Sequence, residues 1–506
     1  MPTLRFVPEF DLRSFDPIAN TAYTTLQHAF MIYDTLFAVD ESFTPRPQMV
    51  ETFAVSPDRR TYEFKLRPGL RFHDGNAVRA RDCVASIRRW GARDVMGRLL
   101  LARTAEIGAI DDARFRLRLS DPFPLTLHAL AKMSASPCVV MREKDAETDP
   151  FQAVVEPIGS GPFRFLRDEH VPGSLAAYAA HSGYVPRADP PSGYAGAKRA
   201  GVERVEWRII SDAATQAAAL KAGEVDIIGA LPPELLPQLR RDPALNVAFS
   251  DRRGWLAYVR PNHLHPPFDD VRARQALMRL VDADDFMAAA GGTGMSERCM
   301  AFMACGSPTS SAAGMERYGT PDLARARALL ADAGYAGEPI VVLEPVDNPF
   351  LGSVAAIMMA QLRKAGVTVA PRPADLATVL SLRASQKPPG SGGWHLLPGR
   401  SLAVELASPL TNFPLASPCG RSAGGDREGW FGWPCDPLIE TLRAEWGDAP
   451  DDAERSRIAG QLQRRAAVSL PFIPVGQIRT PLVHRRAVTG LIDMPIPVLW
   501  NATVRG

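Results

Sequence analysis

Histidine, serine and acidic residues are the first places to look for chemistry in this chain of 506 residues. His263 and His265 form a His-x-His pair and His73 precedes Asp74, but neither group has the spacing of a tetrahedral zinc site. Ser160 lies in Gly-Ser-Gly, which differs from the Gly-x-Ser-x-Gly turn of a serine hydrolase. The sequence therefore predicts no catalytic residue, no metal site and no cofactor, and it favours a protein that is not an enzyme.

Six cysteines fit an oxidising compartment and predict two covalent loops. Cys299 and Cys305 lie in a segment rich in Gly, Ser and Met, while Cys419 and Cys435 flank a segment rich in Gly and Trp. Each pair could close a surface loop as a disulfide. The other cysteines lie where a free thiol acts as a small hydrophobic group: Cys83 in a helical pattern and Cys138 in a predicted apolar strand.

The bulk composition is that of a soluble globular protein, with 46% hydrophobic and 23% charged residues. The formal net charge of +2 offers no electrostatic surface for nucleic acid or acidic membranes, so we expect neither as a partner. Because hydrophobic cores stop growing at about 250–300 residues, we expect two or three lobes. Residues 2–7 have the pattern of a first strand rather than a leader, so we expect any export leader to be removed or absent.

Strands and helices alternate along the chain, which predicts α/β lobes. The clearest unit has an apolar strand at 340–343, a helical pattern at 352–365 with Gly366 as its stop, and a second strand at 367–369. A strand–helix–strand unit of this length predicts a crossover between two parallel strands.

Capping residues and apolar spacing predict further elements. Thr-Pro-Asp at 320–322 predicts the cap and first turn of a helix that Gly334 ends, and 212–222 and 270–281 are similar amphipathic helices. Alternation from Tyr62 to Arg67 predicts a half-buried strand, and the Pro-Gly pair at 68–69 predicts a turn before residues 70–72. Loops are predicted in four places: 172–201, 305–320, 386–393 and 417–435.

Segment 62–86 carries the most specific motif of the chain. It contains Tyr-Glu-Phe-Lys-Leu-Arg-Pro-Gly-Leu-Arg-Phe-His-Asp-Gly at 62–75 and Ala-Arg-Asp-Cys-Val-Ala-Ser at 80–86. These stretches resemble a strand–turn–strand and helix start of the dipeptide, oligopeptide and nickel solute-binding proteins, family 5 of the extracytoplasmic solute-binding proteins. The turn residues Asp74 and Gly75 and the helix-start Asp82 have structural roles, as a family marker would.

Four further segments resemble motifs of the same family, in the same order along the chain. They are Ile-Gly-Ser-Gly-Pro-Phe at 158–163, Ala-Leu-Lys-Ala-Gly-Glu-Val-Asp at 219–226, the stretch from Asn262 to Leu277, and Leu-Leu-Ala-Asp-Ala-Gly-Tyr at 329–335. Five ordered matches are not expected by chance. The chain is therefore identified as a member of this family from its motifs.

The resemblance implies an α/β fold of the class II periplasmic binding protein type, with two hinged ligand lobes plus a small inserted lobe. Hinge strands near 250–260 and 472–480 would let the ligand lobes close over a solute. The implied boundaries are 1–45, 157–253 and 477–506 for lobe I, 46–156 for the inserted lobe II, and 254–476 for lobe III.

Trp394 follows Ser-Gly-Gly and resembles the tryptophan that the family places at the solute. The alternative is a core tryptophan. Peptide-binding relatives often have an Asp three residues later, which pairs with the α-ammonium of the peptide, but here that position is Leu397. A buried ammonium without a counter-ion is costly, so either Asp34 or Asp375 replaces the acid or the solute is not a peptide.

Tyr33, Asp34 and Thr35 resemble a family loop whose backbone and acid face the solute. The alternative for Asp34 is a helix-end or surface role. Trp255 and Tyr258 are placed where relatives present aromatic rings to the solute, although both could equally be packing residues.

Arg383 lies near the position from which relatives reach a ligand carboxylate, which arginine can bind in a bidentate manner. Further along the chain, Trp430, Phe431 and Trp433 form an aromatic segment that either lines a ligand or folds on its own side chains.

The resemblance implies a periplasmic, monomeric solute-binding subunit of an ABC importer, with a membrane permease and an ATPase as partners. Di- or oligopeptides are the first expectation for the solute. Opines, glycosides and small oligosaccharides are the alternatives, and a hydrolase or a non-transport receptor is a more distant one.

Overall fold

The chain forms two compact units in the computed structural model, which describes residues 3–249, 251, 253–292, 294–316, 318–422 and 424–505. Unit 1 comprises Met1–Asp251 and Thr480–Gly506, and unit 2 comprises Arg252–Arg479. Unit 2 begins and ends within three residues of the predicted lobe III, 254–476. The division of unit 1 into lobes I and II stays a prediction, and residues 250 and 252 of the predicted hinge lie outside the described residues.

The first segment of unit 1 alternates short strands with helices. Its strands are β1 (Thr3–Val7), β2 (Phe37–Val39), β3 (Pro45–Pro47), β4 (Val50–Val55), β5 (Thr61–Leu66), β6 (Thr104–Ala109), β7 (Arg114–Leu119), β8 (Phe163–Phe165), β9 (Leu175–Ala180), β10 (Arg204–Arg208), β11 (Ile227–Ile228) and β12 (Leu245–Phe249). Its helices are α1 (Tyr23–Ile32), α2 (Ala80–Arg93), α3 (Val95–Ala102), α4 (Thr126–Leu130), α5 (Glu143–Ala146), α6 (Ala213–Ala222) and α7 (Leu236–Arg240).

Unit 2 is also mixed in secondary structure. Its strands are β13 (Trp255–Pro261), β14 (Ser296–Glu297), β15 (Ile340–Pro345), β16 (Val369–Ala374), β17 (Leu396–Leu402) and β18 (Ile473–Ile478). Its helices are α8 (Val271–Leu280), α9 (Ala283–Ala289), α10 (Leu323–Asp332), α11 (Pro349–Lys364), α12 (Leu376–Leu382), α13 (Ala403–Leu406), α14 (Pro437–Asp448) and α15 (Asp452–Ser469).

The final segment returns to unit 1 as β19 (Pro481–Arg485), β20 (Val488–Thr489) and β21 (Thr503–Val504). The main sheet of unit 1 has seven strands in the order β12-β19-β11-β1-β10-β9-β8. In it β1 runs parallel to β10 and β11, whereas β19 pairs antiparallel with β11 and β12. The end of the chain therefore completes the sheet that its first strand begins.

A four-stranded antiparallel sheet, β4-β5-β7-β6, lies within the range predicted for lobe II. In β5 the side chains of Tyr62, Phe64 and Leu66 are buried while Glu63 and Lys65 are exposed. This confirms the half-buried strand that alternation predicts, because successive side chains of a strand point to opposite faces.

The sheet of unit 2 has the order β14-β18-β13-β17-β15-β16. As predicted, β15 and β16 are parallel, with Ile340 opposite Val369, and α11 connects them. The helix starts earlier than its apolar pattern indicates, because the side chain of Asn348 accepts a hydrogen bond of 3.0 Å from the Leu351 amide and so caps it. Its end is as predicted, with Gly366 at φ +83°.

Aspartate side chains begin the other predicted helices of both units. Asp212 caps α6 and Asp270 caps α8, as their patterns indicate. For α10 the cap is Asp322, whose carboxylate accepts a 3.0 Å hydrogen bond from the Arg325 amide. The predicted cap, Thr320, lies outside this helix because the turn that satisfies the free amides starts two residues later.

Two expectations about irregular segments need correction. The predicted loop at 172–201 contains β9, which is held between β8 and β10. The predicted strand around Cys138 is absent from the described structure, where only an isolated bridge between Thr35 and Val139 forms. In the described part of the chain no helix combines the length and the apolar character needed to span a membrane.

The two ends of unit 2 meet in one strand pair. Trp255 at the start of β13 lies opposite Ile478 at the end of β18. Just before β13, Gly254 has φ +65°, and a Cβ there would lie 1.9 Å from the Ile478 carbonyl oxygen. Only glycine fits at this position, because the two ends of unit 2 approach each other closely here.

Candidate functional site

Trp394 lies at the centre of a hydrophobic cluster in unit 2. Its side chain is fully buried and packs with Leu343, Val379, Leu397 and Trp433. The centres of the two indole rings are 5.9 Å apart. The predicted contact of Trp394 with a solute stays a prediction, and in this structure the residue has the packing of a core tryptophan.

The glycines before Trp394 turn the chain inward. Gly392 has φ +95°, and a Cβ at Gly393 would lie 1.8 Å from the carbonyl oxygen of Lys387. The Gly-Gly pair is therefore required by backbone geometry at this position. It fixes where the strand β17 starts and hence where Trp394 packs.

Arg383, at the end of α12, presents a cation to two aromatic rings. Its guanidinium carbon lies 4.4 Å from the centre of the Phe431 ring and 5.2 Å from that of Trp430. Its Nε is buried without a hydrogen-bond partner, and among the described residues no carboxylate forms an ion pair with it. Burial lowers the pKa of Arg383 below its ordinary value. The arrangement leaves the guanidinium able to donate hydrogen bonds to an anionic group.

The aromatic loop, defined as residues 417–435, carries these rings and is closed by the disulfide between Cys419 and Cys435. Gln386 binds it through two hydrogen bonds of 2.9 Å with the backbone of Arg427. The ring of Trp430 packs on Phe413 at 4.3 Å. Within the loop, the ring of Phe431 lies 4.8 Å from that of Trp430 and 6.5 Å from that of Trp433. The loop therefore folds partly on its own side chains, as one sequence-based alternative holds, and it also contacts Arg383.

Arg260 supports the aromatic loop from within the sheet, and sequence reasoning missed it. Its Nε donates a 2.7 Å hydrogen bond to the carbonyl oxygen of Phe431, and its Nη1 donates to the carbonyl oxygen of Pro414. The side chain is fully buried, which lowers the pKa of Arg260 to about 10. The sequence feature that could have indicated this role is the single arginine among the apolar residues of β13.

Trp255 and Tyr258 are buried on β13. The guanidinium carbon of Arg400 lies 4.4 Å from the centre of the Trp255 ring. The hydroxyl of Tyr258 forms a 3.1 Å hydrogen bond with that of Ser401, and its ring covers Gly399, where a Cβ would lie 2.4 Å from a ring carbon. These contacts are those of packing residues, and a role in solute binding stays a prediction for both.

Tyr33, Asp34 and Thr35 follow α1 in unit 1, where all three are buried. One carboxylate oxygen of Asp34 accepts hydrogen bonds from Lys198 Nζ at 2.8 Å and from the Thr35 amide at 3.0 Å. The other accepts a 3.0 Å hydrogen bond from the hydroxyl of Tyr184. The acid is therefore already neutralised by a cation of the protein, which sequence reasoning did not foresee.

The Gly-Ser-Gly segment packs directly against the end of α1. The amide of Gly161 donates a 2.8 Å hydrogen bond to the carbonyl oxygen of Ile32, and a Cβ at Gly159 would lie 1.8 Å from that oxygen. The hydroxyls of Ser160 and Thr35 are buried without a partner. Buried hydroxyls without partners are uncommon in folded proteins.

Asp375, the other acid considered as a replacement for Leu397, begins helix α12 in unit 2. Its carboxylate accepts hydrogen bonds from the amide of Thr378 at 3.0 Å and from the hydroxyl of Thr378 at 2.6 Å. Its role in this structure is that of a helix cap.

Both disulfide pairs suggested by the sequence are present, Cys299–Cys305 and Cys419–Cys435. Both lie in unit 2. The thiols of Cys83 and Cys138 are free and buried, and burial raises the pKa of each. Neither thiol is therefore poised to react as a thiolate.

Two of the histidines considered for metal binding, His265 and His73, form hydrogen bonds with backbone carbonyl groups. The Nε2 atom of the third, His263, is buried without a hydrogen-bond partner. His265 Nε2 donates a 3.0 Å hydrogen bond to the carbonyl oxygen of Gln386, and His73 Nε2 donates one of 3.1 Å to that of Gly161. Burial lowers the pKa of His73 to about 3, so it is neutral. No group of three or more metal-binding side chains occurs among the residues with described positions.

Comparison with known protein families gives one match that spans most of the chain. The family model "Bacterial extracellular solute-binding proteins, family 5 Middle" matches residues 44–395. The probable peptide ABC transporter periplasmic-binding protein y4tO of Sinorhizobium fredii is 37% identical over 505 residues, covering 99% of this chain and 93% of the relative. A glutathione-binding protein of Pectobacterium atrosepticum is 27% identical over 506 residues, covering 95% of this chain and 90% of the relative.

Solved structures share the fold over the whole chain. A dipeptide-binding protein of Pseudoalteromonas sp. SM9913 in complex with Met-Leu has a TM-score of 0.83 at 20% identity, and both chains are covered to 100%. The periplasmic binding protein AgaA of A. tumefaciens R10 in complex with agropinic acid has a TM-score of 0.81 at 22% identity, covering 100% of this chain and 99% of the other.

These likenesses confirm the predicted fold class, a class II periplasmic binding protein with mixed α/β structure. The matched residues include the motifs between 62 and 335 on which the resemblance rests. The chain belongs to family 5 of the bacterial extracellular solute-binding proteins.

Proposed function

We propose that this solute-binding protein captures a carboxylate-bearing solute outside the cytoplasmic membrane and delivers it to the permease of an ABC importer. The observation that carries the proposal is the guanidinium of Arg383, which lies on two aromatic rings without an ion-pair partner among the described residues. Capture requires no covalent step, so we assign the chain no catalytic residue.

Arg383 suits the binding of a carboxylate for two physical reasons. Its guanidinium offers parallel N–H donors that match both carboxylate oxygens. Its partly buried position strengthens the attraction, because water screens a charge less where it is excluded. Without an anion, the buried Nε of Arg383 lacks the hydrogen bond that it would form in water.

Peptides are the first candidate class of solute. The relative from S. fredii is named as a probable peptide transporter component, and the similar fold from Pseudoalteromonas was solved with Met-Leu. A peptide would present its terminal carboxylate to Arg383. Trp430 and Phe431, whose rings are half-buried, would contact the neighbouring side chain.

Opines are the second candidate class, and Leu397 favours them. This residue packs in the Trp394 cluster and is only 7% exposed, so it offers no charge to a peptide ammonium. The similar protein AgaA was solved with agropinic acid. A solute with a carboxylate but no free ammonium would need no acid at this position.

Delivery requires that the solute favours the form that the permease recognises. A ligand shifts such an equilibrium only by its difference in affinity for the two forms. A micromolar solute would contribute about 8 kcal/mol of binding free energy in total. We expect a monomer with a permease and an ATPase as partners, and we propose that unit 1 comprises lobe I and the inserted lobe II at 46–156.

Mass spectrometry of small molecules released on denaturing the purified protein tests the solute class. Peptides of several lengths would support the peptide candidate, and a single opine mass would support the second. Titration calorimetry then compares wild type with Arg383→Gln on the identified solute. A neutral solute, or binding that is unaffected by Arg383→Gln, would contradict the proposal.

A further inference from the structure

Unit 1 contains a cavity of about 640 Å³ that the proposed function does not use. It lies beside helix α2, within the range predicted for lobe II, and every residue that lines it belongs to unit 1. Its volume is within the range of about 300–1,000 Å³ that small-molecule sites occupy. The walls are formed by one face of α2, the end of β6 and the stretch from Glu143 to Pro150.

Part of the cavity wall is apolar. Val84, Ala85 and Ala146 line it and are only 7%, 8% and 5% exposed. Because residues three or four apart share a face of a helix, Val84 and Ala85 lie on the same face of α2 as the lining residues Arg81 and Arg88. This face of α2 therefore offers a bound molecule both apolar contact and positive charge.

Arg89 fixes the stretch that follows α5. Its guanidinium forms an ion pair of 2.8 Å with Asp16, and both side chains are fully buried. The same guanidinium donates hydrogen bonds to the carbonyl oxygens of Thr148 at 2.7 Å and of Asp149 at 3.1 Å. This part of the cavity wall is therefore held in a fixed position, which lowers the cost of ordering a binding site.

Five charged side chains line the cavity, and three of them have partners. Arg81 lies 3.2 Å from Glu143, and Arg89 forms the buried ion pair with Asp16. The remaining two are exposed side chains of opposite charge, Arg88 on α2 and Glu147 after α5.

Arg88 and Glu147 do not pair with each other. Arg88 donates a 2.9 Å hydrogen bond to the carbonyl oxygen of Ile107, and within the described part of the chain neither Arg88 nor Glu147 forms an ion pair. A simple anion would be attracted by Arg88 and repelled by Glu147, and a simple cation would experience the reverse. A molecule that carries both charges gains a favourable interaction at each residue.

We propose that this cavity is a second binding site, which takes a small zwitterion with an apolar side chain, such as a free amino acid or a dipeptide. The carboxylate of the zwitterion pairs with Arg88, its ammonium pairs with Glu147, and its side chain packs on Val84 and Ala146. This site needs no contribution from Arg383, which lies in unit 2, so it is independent of the proposed function.

NMR titrations of the full chain with L-leucine and with Leu-Leu test the site. N-acetyl-L-leucine lacks the ammonium and L-leucinamide lacks the carboxylate, so these two are the matched probes. We expect wild type to bind at least one of the zwitterions about three- to fivefold more tightly than either matched probe. Arg88→Gln and Glu147→Gln should each weaken binding of that zwitterion by a similar factor. Lys144→Gln, an exposed residue of α5 that does not line the cavity, should leave it unchanged.

Equal affinities for the zwitterions and the matched probes would overturn the site, and so would zwitterion binding that neither Arg88→Gln nor Glu147→Gln weakens. Binding that is lost in Arg383→Gln but kept in both cavity variants would assign the zwitterion to unit 2 and support the proposed function alone. If wild type binds neither L-leucine nor Leu-Leu, the cavity is not a zwitterion site, whereas binding of a carboxylate-bearing solute through Arg383 would be unaffected. Circular dichroism of each variant checks that its fold is retained.

Discussion

The indole Nε1 of Trp394 donates a 3.2 Å hydrogen bond to the carbonyl oxygen of Arg383. The fully buried ring of Trp394 is thereby hydrogen-bonded to Arg383, whose guanidinium lies over two rings of the aromatic loop. Trp394 accordingly positions the end of α12, and its effect on a solute would be exerted through Arg383. Substitution of Trp394 should therefore affect the stability of unit 2 first.

Replacing Trp394 by Ala should destabilise unit 2 by about 3–5 kcal/mol, because a large buried ring is removed from a packed cluster. Denaturant unfolding followed by circular dichroism measures the loss. Trp430→Ala is the matched control, since that ring is half-buried and should cost less. Equal stabilities of wild type and Trp394→Ala would show that the ring is not a core element.

Replacing Arg383 by Gln should weaken binding of a carboxylate-bearing solute by at least about tenfold, because the charge-assisted hydrogen bonds are lost. The free energy of unfolding should change little, since the lost contacts with two aromatic rings are offset by removal of a desolvated cation and no ion pair is broken. Calorimetry and thermal unfolding check the two effects. Arg325→Gln, an exposed arginine of unit 2, should change neither.

Introducing an acid at Leu397 should change which solutes bind. Leu397→Asp would offer a counter-ion to a free ammonium, whereas Leu397→Asn offers polarity without charge. We expect Leu397→Asp, relative to Leu397→Asn, to improve the affinity for Met-Leu over N-acetyl-Met-Leu. Comparing the two variants by calorimetry separates charge from the packing cost that both share. The idea fails if their selectivities are identical.

Removing the disulfide that closes the aromatic loop should lower the free energy of unfolding by about 3 kcal/mol, the value expected for a loop of about 15 residues. The pair Cys419–Cys435 has a sequence separation of 16. Its double serine variant should also change the near-ultraviolet circular dichroism, because the loop carries two tryptophans. The double serine variant of Cys299–Cys305, with a separation of 6, is the control and should keep that signal.

Acid should destabilise the protein through its buried histidines. The pKa of His28 is lowered to about 3 by burial, with a further contribution from His170. Because the unfolded chain binds a proton near pH 6.5 and the folded one does not, stability is full above that pH and falls as pH decreases toward 3.

For His28 the loss between pH 7 and pH 5 should be about 2 kcal/mol. Urea unfolding at these two pH values measures it, with His28→Asn as the comparison. Asparagine can keep a hydrogen bond to the hydroxyl of Tyr178, which His28 Nδ1 contacts at 2.9 Å, but it does not titrate. The His28→Asn variant should lose less unfolding free energy between pH 7 and pH 5 than wild type. An identical pH dependence of the two proteins would contradict the assignment of this loss to His28.

Local sequence signals predicted the fold well. The strand, helix and glycine stop between Ile340 and Gly366 follow from periodicity and capping, which act over a few residues. The starts of helices were predicted less exactly. The caps of α11 and α10 are Asn348 and Asp322, each about one turn or less from the start that the sequence pattern indicates. The family motifs, which are mostly turns and helix starts, carried the assignment of the fold class.

The candidate site was harder to predict because its contacts are distant in sequence. Lys198 and Asp34 are 164 residues apart, and nothing local marks them as partners. Arg260 and Phe431 are 171 residues apart, yet their hydrogen bond holds the aromatic loop. Residue type alone also could not tell whether Trp394 is exposed, because a tryptophan after two glycines suits either a surface or a core.

The pairing of Trp255 with Ile478 has a consequence for engineering. Residues 252–479 are one uninterrupted stretch of the gene, and its first and last strands lie side by side in the same ladder. A short peptide could therefore join those ends, and the stretch could be reopened at an exposed turn as a circular permutant. Such a rearranged chain would keep Arg383, Trp394 and the aromatic loop together on one polypeptide, free of the rest of the protein.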